Sequence, residues 1–396
     1  MNPEPRTTSD PGNQPTASKR RELRDRVIQY RPGASSLGSE DYDITLATVM
    51  YGGGVRAGRP DTEVTPFRPS SIRGNLRFWW RATRGAQFSS WEDLHTRESE
   101  IWGSQDKPSR VKIRVEVTTR PESMALDQIP REDPRRYGLF PPYNEKGVDY
   151  TERRLLAPGA QFRLTLQMPK QEDLWDDVQA SLWAWLNFGG LGARSRRGAG
   201  ALYCKDFAGW TKQHLQGTGE TRAWPTMKGG FLLAGKRRVS ILTCWQELLQ
   251  IYKDFRSGQD PRAGRWPEAN EIRWIRQGAA RREQQGFPRA QLGLPIIFHF
   301  KDRSRDPSDQ TLSAVMGNDL ARMAGPVILR PFVVSPTEAI PTILILNSEK
   351  PRALALYEGG EQRRFNEQRV ELGAINAIAR LLNYAGERLG VQANRL

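Results

Sequence analysis

Two stretches of the chain concentrate side chains suited to holding a phosphate. In "NFGGLGARSRRGAGALYCKDF", from Asn187 to Phe207, Gly190, Gly192, Gly198 and Gly200 surround Arg194, Arg196 and Arg197. Glycine lets backbone amides come close to an anion and arginine offers planar, paired donors, so the combination suits a phosphodiester backbone read without its bases. In "SSIRGNLRFWWRATRG" the arginines Arg73, Arg77, Arg81 and Arg84 recur. At roughly 100° per residue they share an arc of about 80° on one helix. Ile72, Leu76, Trp79, Trp80 and Thr83 fill the adjoining arc and leave Phe78 outside both; the tryptophans, on the apolar side, are read as packing rather than base stacking. No acidic residue lies between Ile72 and Phe88, so pairing at four-residue spacing cannot neutralise the arginines, and their repulsion asks for an outside anion. The plainer alternatives are a solvated arginine face and a basic turn.

Other phosphate templates fit poorly. Gly190 and Gly192 open a G-x-G, but Ser195 stands where the third glycine of a dinucleotide loop belongs, and a strand pattern follows instead of a helix. "GFLLAGKR" has the G-x4-G-K spacing, yet Arg237 occupies the position of the magnesium-binding Ser or Thr. No nucleotide or other cofactor is expected. Cys204 and Cys244 cannot build a cysteine zinc site, and His95, His214 and His299 are widely spaced, so no metal is expected either. RNA cleavage needs a general base such as His, or convergent carboxylates around a metal. His95 in "WEDLH" and Asp106 in "WGSQDKP" are isolated groups that form no such constellation.

The 396 residues carry 60 Lys+Arg against 45 Asp+Glu, a formal charge of +15. That balance favours a polyanionic partner, nucleic acid before an anionic membrane surface. No apolar run reaches a membrane span and the first thirty residues lack a signal-peptide core, so a cytoplasmic chain with no membrane partner is expected. Its length suggests two domains.

The elements that must position these groups follow from periodicity. Residues 1–38 are rich in Pro, Ser, Thr, Arg and Gly and read as a flexible basic extension. A domain over 39–210 begins with a strand, "YDITLATVMY", ended by Gly52-Gly53-Gly54, and continues with the arginine helix, N-capped by Ser70 or Ser71 and stopped at Gly85. The strands "RVKIRVEVTT" and "QFRLTLQM" alternate strictly, a helix runs from Glu172 to Phe188, and "GALYCKDF" closes the set as a strand. Strand, helix, strand, strand, helix, strand is the order of a ferredoxin-like fold. An insertion over 120–158 reads as a functional excursion or disorder. Over 211–396, "SILTCWQELLQIYKDF" and "GAINAIARLLNYAGERLG" read as helices and "LPIIFHF", "PVILRPFVV" and "PTILILN" as strands, the parts of a second such domain in an undetermined order.

"PFRPSSIRGNLRFWWRATRG" and "GGLGARSRRGAGAL", with weaker matches at "LGLPIIF" and "RMAGPVILRPF", resemble the RAMP superfamily of CRISPR proteins and, within it, the family of first subunits of the Cmr (type III-B) effector complex, over Tyr42 to Val334. The resemblance implies an α+β fold of tandem ferredoxin-like (RNA-recognition-like) domains with insertions. It implies a non-catalytic, RNA-binding subunit near the guide 3′ region that assists target RNA capture in antiviral defence. The implied partners are guide RNA, target RNA or both, and other Cmr subunits. Matched to the family's motifs, the RNA-binding positions are Arg73, Arg77 and Arg81 on the helix and Gly192, Arg194, Arg196, Arg197, Gly198 and Gly200 in the loop, with Arg84 added from the helix face. The 120–158 excursion resembles the place of a thumb-like insertion, with Arg135, Arg136, Tyr137 and Phe140 as its contacts. The competing readings are a RAMP-type endoribonuclease acting on guide precursor or target RNA, and a stand-alone RNA-binding protein.

Overall fold

Alternation of apolar and polar residues builds the first sheet. The computed structural model describes residues 37–52, 60–139, 154–236, 240–278, 285–302, 304–360 and 363–396; nearly all of the expected N-terminal extension lies outside them. Strands β1 (Leu37–Leu46) and β2 (Met50–Tyr51) are followed by helices α1 (Pro69–Arg84) and α2 (Trp91–Trp102) and by β3 (Lys112–Thr119). Next come β4 (Ser123–Ala125), the short helix α3 (Arg135–Leu139), β5 (Arg154–Leu156), β6 (Gln161–Pro169), α4 (Glu172–Phe188) and β7 (Leu202–Tyr203). The main sheet runs β3-β6-β1-β7, antiparallel throughout. Its register sets Tyr42 opposite Leu164, Ile44 opposite Phe162 and Val115 opposite Leu164, so the apolar residues of three strands share one face. Ile72, Leu76, Trp79 and Trp80 of α1 and Leu174, Val178, Leu182 and Trp185 of α4 belong to the same buried core.

The second half repeats this plan around β8 (Thr226–Ala234), α5 (Ile241–Ser257) and α6 (Glu268–Gln277). It continues through β9 (Ile296–Phe298), β10 (Gln310–Met316), β11 (Asp319–Ala321), β12 (Val327–Val333) and β13 (Ala339–Asn347). It ends with β14 (Leu354–Gly360), β15 (Arg363–Val370), α7 (Ala377–Leu389) and β16 (Asn394–Arg395). Its central sheet, β12-β13-β8-β16, has the same arrangement as the first, with α5 and α7 as the two helices. Two separate chain segments supply a further sheet, β11-β10-β14-β15 with β9 beside β10, around Ile272, Phe287, Leu312 and Leu356.

The β12 sequence is apolar without alternation because both faces of its sheet are buried. Leu329, Ile343 and Leu233 pack in one core with α5 and α7, whereas Ile328, Phe332 and Leu344 join the core that contains α1 and α4. The helices of the first unit are therefore sandwiched between two sheets.

Several sequence expectations need correction. "YDITLATVMY" is not one strand: the chain leaves the main sheet after Leu46, where Thr48 donates to the Gly198 carbonyl and accepts from the Ala201 amide, and re-forms as β2 against β5. Helix α1 begins at Pro69 and not at a serine cap, with no side-chain cap from Arg68, because proline needs no amide partner at the first position. Of "GALYCKDF" only Leu202–Tyr203 is strand. Within the 120–158 excursion, residues 120–139 pack through Leu126, Ile129 and Leu139 into the core that holds α5.

Candidate nucleic-acid interface

The glycine-rich loop leaves the C-terminus of α4 and returns as β7. Its floor is β2 and the residues before it: the Ala193 amide donates to Tyr51 O at 2.7 Å and the Gly200 amide to Val49 O at 2.7 Å. Gly200 has φ +65°, and a Cβ there would lie 1.9 Å from the Leu191 carbonyl oxygen; Gly192 has φ +77°, with a Cβ position 2.4 Å from Tyr51 O. Glycine is required at both positions because the loop closes on the protein's own backbone. Gly198 and Gly200 are buried, whereas Gly192 and Arg194 are exposed.

The three loop arginines divide by role. Arg197 lies over the Tyr252 ring, 4.5 Å from its centroid, and donates to Val327 O at 3.1 Å. Arg196 lies 5.4 Å from the Phe78 centroid and donates to Gly325 O, with burial and nearby Arg197 holding its guanidinium below the usual arginine range. Both are half-buried and turned to the second unit. Of the three, Arg194 alone is exposed, and its backbone takes the left-handed conformation at φ 64°. Phe78, which helical geometry leaves outside both arcs, is where the two basic motifs meet.

The helix arginines also find partners within the fold, and the expectation that they need an outside anion is corrected accordingly. Glu98 of α2 is 1% exposed and takes both Arg77 Nε and Arg81 Nη1 at 2.6 Å. Arg84 is buried, pairing with Asp177 at 3.3 Å and donating to His214 O at 2.8 Å and Asp176 O at 3.0 Å. Burial lowers the Arg84 pKa, and Asp177 and Asp176 oppose that shift. Arg73 donates to Val111 O at 3.0 Å and to Ser109 Oγ. Arg73 and Arg77 nevertheless line an open cleft of about 560 Å³ with Lys107, Ser104 and His95. Glu98, buried against Arg77 and Arg81, offsets one positive charge and leaves an excess on the cleft lined by Arg73, Arg77 and Lys107.

The thumb-like contacts are internal as well. Arg135 is tied to Asp133 at 2.6 Å, Arg136 donates to Ile129 O and Pro130 O, and the Tyr137 ring packs 6.4 Å from Tyr252; Phe140 lies outside the described residues. The G-x4-G-K stretch runs along β8 as far as Ala234, not around a phosphate. Among the described residues no group of His, Cys, Asp or Glu is placed to hold a metal, and no helix is long and apolar enough to cross a membrane.

Residues 43–203, which contain the arginine helix and the loop, match the RAMP superfamily. This segment is a RAMP superfamily domain. The chain is similar to CRISPR system Cmr subunit Cmr1-1 of Pyrococcus furiosus, 32% identical over 141 residues, or 35% of this chain and 41% of that protein. Subunit Cmr1-2 of the same organism is 28% identical over 178 residues, 41% of this chain and 92% of that protein. The match thus spans less than half the length of the first relative. The crystal structure of apo Cmr1 from P. furiosus superposes with a TM-score of 0.53 at 20% identity, covering 80% of this chain and 89% of that one, which shows a shared fold.

Three residues that organise the RAMP domain's basic surface escape the sequence reading: Glu98, Asp177 and Arg330. Glu98 and Asp177 lie on helices other than the one whose charges they balance, beyond any short-range pairing rule. Arg330 carries one signal, a lone cation inside the apolar run "PVILRPFVV".

Proposed function

We propose that the protein is an RNA-binding, non-catalytic subunit of a type III-B (Cmr) CRISPR effector ribonucleoprotein, placed near the guide 3′ region and assisting target RNA capture beside other Cmr subunits. The observation that carries this reading is the division of the arginines. Arg196, Arg197 and Arg84 hold the fold together, while Arg194 stays exposed beside Gly192 and the Arg73, Arg77 and Lys107 cleft keeps excess positive charge. The match of residues 43–203 to the RAMP superfamily and the likeness of part of the chain to Cmr subunits support the same reading. Arginine and lysine directed at phosphates bind without regard to sequence and with strong salt dependence.

The test is titration of labelled single-stranded RNA and of a guide–target duplex across a salt series, with Arg194→Glu and Lys107→Glu variants. Each lost phosphate contact should flatten the logarithmic salt slope by about 0.7 on single strands. Variants that keep the wild-type slope, or lose affinity for one sequence only, would contradict the proposal. Because His95 lines the same cleft, the bound RNA is also run on gels with and without Mg²⁺. Cleavage abolished by His95→Ala would replace this reading with the endoribonuclease one.

A further inference from the structure

We infer that Arg330, from the second unit, is the positioning residue of the glycine-rich loop, holding its departure and its return together from beneath. The inference rests on the reading of that loop as an RNA contact. Arg330 is fully buried on β12, on the face it shares with Ile328 and Phe332, opposite Thr342 of β13. Its Nε donates to Asn187 O at 3.1 Å, Nη1 to Gly189 O, and Nη2 to Leu186 O at 2.7 Å and Leu202 O at 3.1 Å. Leu186, Asn187 and Gly189 are where the chain leaves α4; Leu202 is where it re-enters the sheet.

The chemistry explains why arginine stands there. The last carbonyls of a helix have no partner within it and carry the negative end of its dipole. A planar guanidinium presents several donors at once, which a lysine ammonium on a single nitrogen cannot arrange among four divergent carbonyls. Among the described residues no carboxylate accompanies Arg330, and burial alone lowers its pKa to about 9. An isolated buried cation is costly, and a methionine would fill the space without that cost. What the guanidinium adds is the tie between both ends of residues 190–201 and the second unit. Gly325 O, just before that strand, accepts from Arg196 and Val327 O, within it, from Arg197, and Trp245 Nε1 donates to Arg197 O at 2.6 Å. The pose of Arg194 is thus set from a domain other than its own.

The experiment uses the full chain with Arg330→Lys, and Trp245→Phe as a milder variant that removes one loop tether without disturbing the buried charge. Amide exchange is followed without RNA. The expected result is at least tenfold faster exchange across 190–201 in Arg330→Lys, with a smaller change of the same kind in Trp245→Phe, while β6 and α5 keep their protection. With a labelled 20-nucleotide RNA, Arg330→Lys should lose about tenfold in affinity in the wild-type background and little in an Arg194→Glu background. Acceleration spread evenly over both units, or an equal affinity loss in both backgrounds, would overturn the positioning role and leave Arg330 a residue of the fold alone. Should Arg330→Lys not fold, an unchanged loop in Trp245→Phe overturns it equally. If wild-type protein binds no RNA, the functional reading fails, while the exchange measurement still decides whether Arg330 positions the loop.

Discussion

Replacing Glu98 with Gln should move stability and RNA affinity in opposite directions. The carboxylate is 1% exposed and serves two guanidinium groups at 2.6 Å, one 32% and the other 26% exposed. Removing one partner of a fully buried ion pair costs about 3–5 kcal/mol. Here both arginines can turn partly to water and glutamine still accepts a hydrogen bond, so the expected loss is about 2 kcal/mol. For a unit of this size that corresponds to a fall in melting temperature of roughly 4–8 °C. The same change removes the buried negative charge paired with Arg77, which lines the cleft. A unit charge about 8 Å from a phosphate is worth about 0.5–1 kcal/mol at high effective dielectric, so RNA should bind roughly two- to fivefold tighter at low salt, with the gain fading as salt rises. Scanning calorimetry and fluorescence anisotropy on the same preparation read both quantities. Melting within 1 °C of wild type would show that Glu98 does not restrain the arginines, and affinity falling in step with stability would show that RNA requires their inward pose.

Three further outcomes are expected. Gly200→Ala should destabilise by about 2–4 kcal/mol in urea, from left-handed strain plus overlap with the Leu191 carbonyl, whereas Gly74→Ala, whose added carbon meets nothing within 4 Å, should stabilise α1 by about 0.5–1 kcal/mol. Burial would raise the Asp133 pKa, but hydrogen bonds from Arg135 and Gln246 outweigh it and hold the carboxyl below its ordinary value. Its contribution to stability is therefore present above about pH 3.9 and lost as pH falls through the lower folded pKa, so melting of Asp133→Asn should depend less on pH below that point. Burial pushes the Cys204 thiol up to about 11, and the native protein should react with a disulfide reagent at pH 8 far more slowly through Cys204 than the urea-unfolded chain does.

Local periodicity made most of the first unit legible. The strict alternation of "QFRLTLQM" and the apolar arc of α1 report which side faces the core, and both faces meet in the one core those patterns require. The failures have a common cause: each concerns a partner distant in sequence. The arginine face reads as unpaired because Glu98 and Asp177 come from other helices. The constraint on Gly192 is invisible because the carbonyl it accommodates, Tyr51 O, belongs to a segment some 140 residues earlier. The third sheet is unreadable because β9–β11 and β14–β15 reach it from either side of β12 and β13. Arg194 is distinguished from Arg196 and Arg197 only by the fold, since the three are chemically identical in the sequence.

The sandwiching of α1 and α4 between two sheets has a consequence for the order in which the chain is made. One face of that helix layer is covered by β1 and β6, but the other waits for Ile328, Phe332 and Leu344. About 120 residues separate Phe207, close to the end of the first unit, from Val327. At a synthesis rate of roughly 5–20 residues per second, the growing chain carries that uncovered apolar surface for about 6–24 s. A ribosome-bound chain stalled near residue 300 should therefore be a client for holding chaperones, and one stalled well beyond Asn347 should not.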